Sequence, residues 1–119
     1  MGTNLTAAPS TATPEQVLAS IVNGINAGDL ESLMPLYEPG AAGISEALTG
    51  FISMNGTLDL EVTRVLEVDD LALVIGVWSF DGTAPDGTPV RLEAKNADVL
   101  RRQSDGSWRF VIDNPWGVD

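Results

Sequence analysis

Two polar residues, Asn96 and Asp98, interrupt the apolar row of a strand-like stretch near the end of this 119-residue chain. In VRLEAKNADVLR, Val90, Leu92, Ala94, Asn96, Asp98 and Leu100 share one face, and Arg91, Glu93, Lys95, Ala97, Val99 and Arg101 the other, because strand side chains alternate. The first row wants a core. A carboxylate there must be hydrogen-bonded, paired or protonated, since burying it as a bare anion is too costly. The chemistry on offer is therefore that of Asp98 as a polarising acid, with Asn96 orienting a substrate. The chain has no histidine and no cysteine, so acid–base work falls to carboxylates, Tyr37 or Lys95, and disulfides and thiolate metal sites are excluded. Lys95 points away from Asp98 by parity. The plainer alternative is a carboxylate hydrogen-bonded to a neighbouring Asn, Arg or backbone amide, bracing the sheet.

What faces Asp98 depends on how the following strand, WRFVIDNPWG, pairs with it. If Trp108, Phe110 and Ile112 share its face, the turn has an odd length with Gly106 left-handed; Asn114 then faces a pocket as a second substrate-orienting candidate, and Asp113 looks out. If Asp105-Gly106 is a two-residue turn, residues 98 and 113 stand opposite each other and the carboxyl pair must keep one proton. The first register is preferred, because a one-residue slip would turn three large apolar residues outward.

The elements that must position these residues are legible in order. Residues 1–13 are small and polar and read as a flexible tail, leaving 14–119 as a single domain. Thr13-Pro14-Glu15-Gln16 is a helix start with a capping box, and Val17, Leu18, Ile21, Val22 and Ile25 form its apolar stripe. Gly28 ends that helix and Asp29 caps a second, which Pro35 should shorten or bend. After a turn at Glu38 to Gly43, residues Ile44, Ala47, Leu48, Phe51 and Ile52 mark a third helix. From Thr57 the period becomes two. Leu58 to Val68 alternates; Leu71 to Phe80 is apolar on both faces, as for a strand covered on both sides; Asp81 to Pro89 is a loop by composition; and Val90 to Gly117 gives two long strands. Three helices followed by about four antiparallel strands make an α+β domain.

The formal charge of −11 argues against nucleic acid as a partner. No membrane span and no signal peptide begin the chain, so cytoplasm is the expected location. Acid clusters such as Asp69-Asp70 lack metal-loop spacing, and no phosphate or dinucleotide motif occurs, so neither a metal nor a cofactor is expected.

NAGDL at Asn26–Leu30, Leu36-Tyr37-Glu38, and Asp98-Val99-Leu100-Arg101 ahead of Asp105-Gly106-Ser107-Trp108-Arg109 together resemble the NTF2-like superfamily. Within it the likeness is to the SnoaL-like polyketide cyclase and ketosteroid isomerase groups and to small SgcJ-type proteins. The resemblance implies a conical α+β fold around an apolar pocket, commonly a homodimer through the outer sheet face. Ketosteroid isomerases carry an Asp matching Asp98, kept protonated to donate to an enolate oxygen. Their partner tyrosine matches Ile21, which has no hydroxyl, and no catalytic base carries over. Candidate pocket-lining residues are Ile21, Tyr37, Phe51, Trp78, Phe110 and Trp116, with the aromatic ones serving first as core or dimer contacts and Tyr37 expected to send its hydroxyl to water. The expected function is a pocket for a hydrophobic small molecule; the alternatives are an isomerase, cyclase or hydratase using Asp98, or a purely structural dimerisation module.

Overall fold

The computed structural model describes residues 11–40 and 44–117. Helix α1, Pro14–Ala27, begins where Thr13 Oγ1 accepts a hydrogen bond from Gln16 N at 3.2 Å, and the left-handed Gly28 closes it. Its stripe of Val17, Leu18, Ile21 and Ile25 is buried. Asp29 caps a single turn, α2, Leu30–Leu33, and Pro35 converts the continuation into a 3-10 turn, Met34–Leu36, since a proline has no donor to continue an α-helix. Helix α3 spans Ile44–Ser53. The expected tail over residues 1–13 falls mostly outside the described residues, although the Thr11 carbonyl already accepts a hydrogen bond from Trp108 N at 2.8 Å. Residues 41–43 of the turn after Tyr37 also lie outside them.

Four antiparallel strands follow in sheet order β1-β2-β3-β4: β1 Thr57–Val68, β2 Leu71–Thr83, β3 Pro89–Arg102 and β4 Trp108–Ile112. The architecture is α+β, with α1 laid against the sheet. The connection expected over Asp81 to Pro89 is shorter than its composition suggests, because β2 and β3 stay paired as far as Thr83 and Pro89. Thr83 N donates to Met54 O at 2.9 Å, which ties that end of the hairpin to the end of α3.

Strand β2 shows how the core is split. Ala72, Val74, Trp78 and Phe80 are buried on the inner face, where Phe51 meets Phe80 edge-on at 5.2 Å. On the outer face Leu71 and Val77 are exposed, together with Leu66 and Val68 of β1 and Ile112 of β4. Within one chain, then, β2 is covered on one side only. No helix among the described residues is long and apolar enough to cross a membrane.

Candidate functional site

Between α1, α3 and the inner sheet face lies a cavity of about 100 Å³. Its wall is apolar, with Ile21 of α1, Phe51 of α3, Trp78 of β2 and Phe110 of β4 among the lining. Three polar residues, Asn96, Asp98 and Asp113, interrupt that wall. Asn96 and Asp98 are each only 2% exposed, on the inner row where strand parity places them.

Asp113 arrives by a β-bulge. Arg102 pairs with Trp108 and Leu100 with Phe110, as the odd-length turn requires. In that turn Gln103 N donates to Ser107 O at 2.7 Å and Gly106 takes a positive φ of 87°, a conformation that favours glycine. The register then shifts, so that Val99 pairs with Ile112. One extra residue on β4 inverts its parity. Ile112 turns outward and is 54% exposed, while Asp113 comes to the cavity. The odd-length register therefore holds for Trp108 and Phe110 and fails at Ile112. The carboxyl pair, expected only from the two-residue turn, forms nonetheless.

The strand expected to reach Gly117 ends at Ile112. Beyond it the chain folds back, with Ala97 N donating to Asn114 O at 3.0 Å and Gly117 N to Asn114 O at 3.3 Å. This loop corrects the placing of Asn114. Its side chain donates to Gly117 O at 3.0 Å instead of lining the cavity, and its backbone N donates to Asp98 Oδ1 at 2.8 Å. Trp116 is likewise outside the lining. It is exposed and packs on Trp78, ring centres 5.3 Å apart, while Trp78 Nε1 donates to Pro115 O at 2.6 Å.

Tyr37 is not a wall residue either, nor does its hydroxyl reach water. It is 4% exposed and stacked on Phe110 at 4.9 Å, and its hydroxyl donates to Asp113 Oδ2 at 2.5 Å. The sequence pattern of a residue closing an amphipathic turn shows the burial of the ring. It does not show where the hydroxyl goes, because that partner lies 76 residues away beyond a bulge.

The four side chains form a line: Tyr37 to Asp113, Asp113 hydrogen-bonded to Asp98, and Asn96 Nδ2 donating to Asp98 Oδ2 at 2.7 Å. Burial, then the charge of Asp113, push the Asp98 carboxyl up to about 7, against the opposing donation from Asn114 and Asn96. Desolvation outweighs those two donors because water is missing from the carboxylate. Burial, followed by the charge of Asp113, also drives the Tyr37 hydroxyl far above the usual tyrosine range, so it stays protonated and donates to Asp113.

Asn96 Oδ1 is buried and has no hydrogen-bond partner among the described residues. Gly76, directly across the ladder, makes room for it: a Cβ there would stand 2.7 Å from Asn96 Oδ1 and 2.7 Å from Glu61 O. Among the described residues no group of three or more acidic side chains is placed to hold a metal ion.

No protein-family model matches the sequence. No curated protein matches it either. Solved structures do. An NTF2-like superfamily protein from Salmonella enterica serovar Typhimurium superposes with a TM-score of 0.69 at 16% identity, over 87% of this chain and 88% of that one. A candidate dehydratase of the NTF2-like family from Streptomyces avermitilis gives 0.69 at 16% identity, over 84% and 90%. A candidate calcium/calmodulin-dependent protein kinase type II association domain from Thiobacillus denitrificans gives 0.72 at 15% identity, over 93% and 99%. The chain has the NTF2-like fold.

Proposed function

We propose, starting from the NTF2-like fold, that this protein binds a small, largely apolar molecule with one carbonyl or hydroxyl oxygen and moves a proton on it. The observation that carries the reading is the Asp98–Asp113 pair at the polar end of an apolar cavity. Two carboxyls in contact hold one proton between them, so one is an acid and the other a base. In the reaction envisaged, a ligand carbonyl oxygen accepts the hydrogen bond of protonated Asp98. Ionised Asp113 takes the proton from the adjacent carbon. The C–H electron pair moves into an enolate, whose oxygen Asp98 stabilises, and the proton returns to the same carbon or another. A candidate dehydratase among the structural neighbours fits such proton chemistry. The cavity volume of about 100 Å³ favours ligands smaller than a six-membered ring, since the apolar cavity that takes up benzene is larger, at roughly 150 Å³.

Acetone in D₂O provides the test, with loss of its α-proton signals followed by NMR. The wild-type protein is expected to exchange them faster than buffer, and Asp98→Asn and Asp113→Asn each to slow the catalysed exchange by about 10²-fold or more. A ketone that binds saturably but exchanges at the buffer rate would leave a binding pocket without this chemistry.

The exposed outer row of Leu66, Val68, Leu71, Val77 and Ile112 supports a second copy covering that face. Sedimentation velocity is expected to show a dimer that Leu71→Glu converts to monomer. A wild-type monomer at the highest attainable concentration would refute it.

A further inference from the structure

We propose that Tyr37 is a positioning residue that decides which carboxyl of the pair keeps the proton, assigning Asp98 as the acid and Asp113 as the base. The inference rests on the carboxyl-pair reading above and adds the direction in which the pair works.

The two carboxyls are held by different groups. Asp98 accepts from Asn114 N at 2.8 Å and from Asn96 Nδ2 at 2.7 Å, both fixed by the β3 ladder and the loop beyond β4. Asp113 accepts from the Tyr37 hydroxyl at 2.5 Å. Apart from the proton shared with Asp98, that is the one donor reaching the Asp113 side chain among the described residues. A bond this short is in the range of a hydroxyl donating to a carboxylate. It favours the anion at Asp113 and leaves the proton on Asp98.

Tyr37 is rigidly set to do this. Its backbone bridges Phe110, the next residue's N–H donates to Phe110 O at 2.9 Å, and its ring stacks on the Phe110 ring. The same strand that carries the bulge therefore places both the hydroxyl and the carboxyl it serves. The titratable groups facing the pair are Tyr37 and the two carboxyls themselves. What α1, α3, β1 and β2 bring to the cavity wall is apolar, and among the described residues no basic one lines it.

The consequence is specific. With the hydroxyl removed, Asp113 has no donor while Asp98 retains two, so the single proton should move to Asp113. Acid and base would exchange places without loss of the pair. A residue that merely packed would not produce this exchange.

The test is NMR titration of protein labelled with ¹³C at its aspartate carboxyls, wild type against Tyr37→Phe, which keeps the ring stack. In the wild type the Asp98 signal is expected to titrate near neutral pH. In Tyr37→Phe the Asp113 signal is expected to take over that range, in protein whose amide spectrum stays native. Asp98 remaining the carboxyl that titrates near neutrality in Tyr37→Phe would overturn the assignment of Tyr37. No carboxyl titrating near neutrality in either protein would overturn the underlying pair instead. If Tyr37→Phe does not fold, 3-fluorotyrosine enters at this position alone, because the chain has one tyrosine. Its more acidic hydroxyl donates more strongly to Asp113, so the proton is expected to stay on Asp98; a proton found on Asp113 would equally overturn the proposal.

Discussion

At pH 8, Asp98→Asn is expected to be more stable than the wild-type protein by about 2–4 kcal/mol, an advantage that vanishes toward pH 4. The sign follows from the direction of the shift. The Asp98 carboxyl is raised from 3.8 to about 7 in the folded protein, so between those values the folded chain holds a proton that the unfolded chain has lost. Stability tied to Asp98 is complete below the lower value and is lost as pH rises through the upper one. About three pH units at 1.36 kcal/mol each set a ceiling near 4 kcal/mol. Asparagine removes the ionisation while keeping the shape. Its amide can still accept from Asn114 N. Its NH₂ would face that of Asn96, which must rotate to present Oδ1, the oxygen that has no partner in the wild-type protein. That rotation accounts for the lower end of the range. The window is clean because the chain has no histidine to titrate within it. Denaturant unfolding of both proteins at several pH values gives the difference directly; parallel curves would show that Asp98 titrates as an ordinary carboxyl.

Phe110→Ala should be the most damaging change at the site, costing about 3–5 kcal/mol. The ring is 1% exposed, forms part of the cavity wall and carries the Tyr37 ring stacked on it at 4.9 Å. Removing it empties a space between β4 and the 3-10 turn that no neighbouring side chain is free to fill, since Tyr37 is pinned through its backbone to residue 110. The expected result is a lower denaturant midpoint with an unchanged slope, and loss of acetone exchange because Tyr37 and Asp113 no longer meet in a fixed geometry. A loss of stability below about 1 kcal/mol would mean that β4 is loosely packed, contrary to its burial.

Much of this arrangement is legible in the sequence. The caps at Thr13, Gly28 and Asp29 bound the first helices, and Pro35 shortens the second, for local reasons that tertiary contacts do not override. Asn96 and Asp98 stand out because they are polar on an apolar row, and parity survives along the whole of β3. Asp113 is lost for the complementary reason. Parity predicts a face only while the ladder is regular, and one extra residue after Phe110 reverses it with no local signature in Val111 or Ile112. The role of Tyr37 depends on the same bulge. Asn114 and Trp116 reach the pocket only if the strand continues to Gly117, and the backbone leaves the ladder at Ile112. Composition marks Asp81-Gly82-Thr83 as loop, whereas pairing with Arg91, Val90 and Pro89 and the tie from Thr83 to Met54 keep them in the ladder.

At about pH 6 the Asp98–Asp113 pair is expected to hold one proton inside an apolar cavity. Infrared difference spectroscopy of wild type against Asp98→Asn at about pH 6 tests it most directly, one unit below the value to which the Asp98 carboxyl is raised. The wild type is expected to show the carbonyl band of a single protonated carboxylic acid, absent from the variant and fading as the pH rises through neutrality. A difference spectrum containing only carboxylate bands at that pH would contradict it.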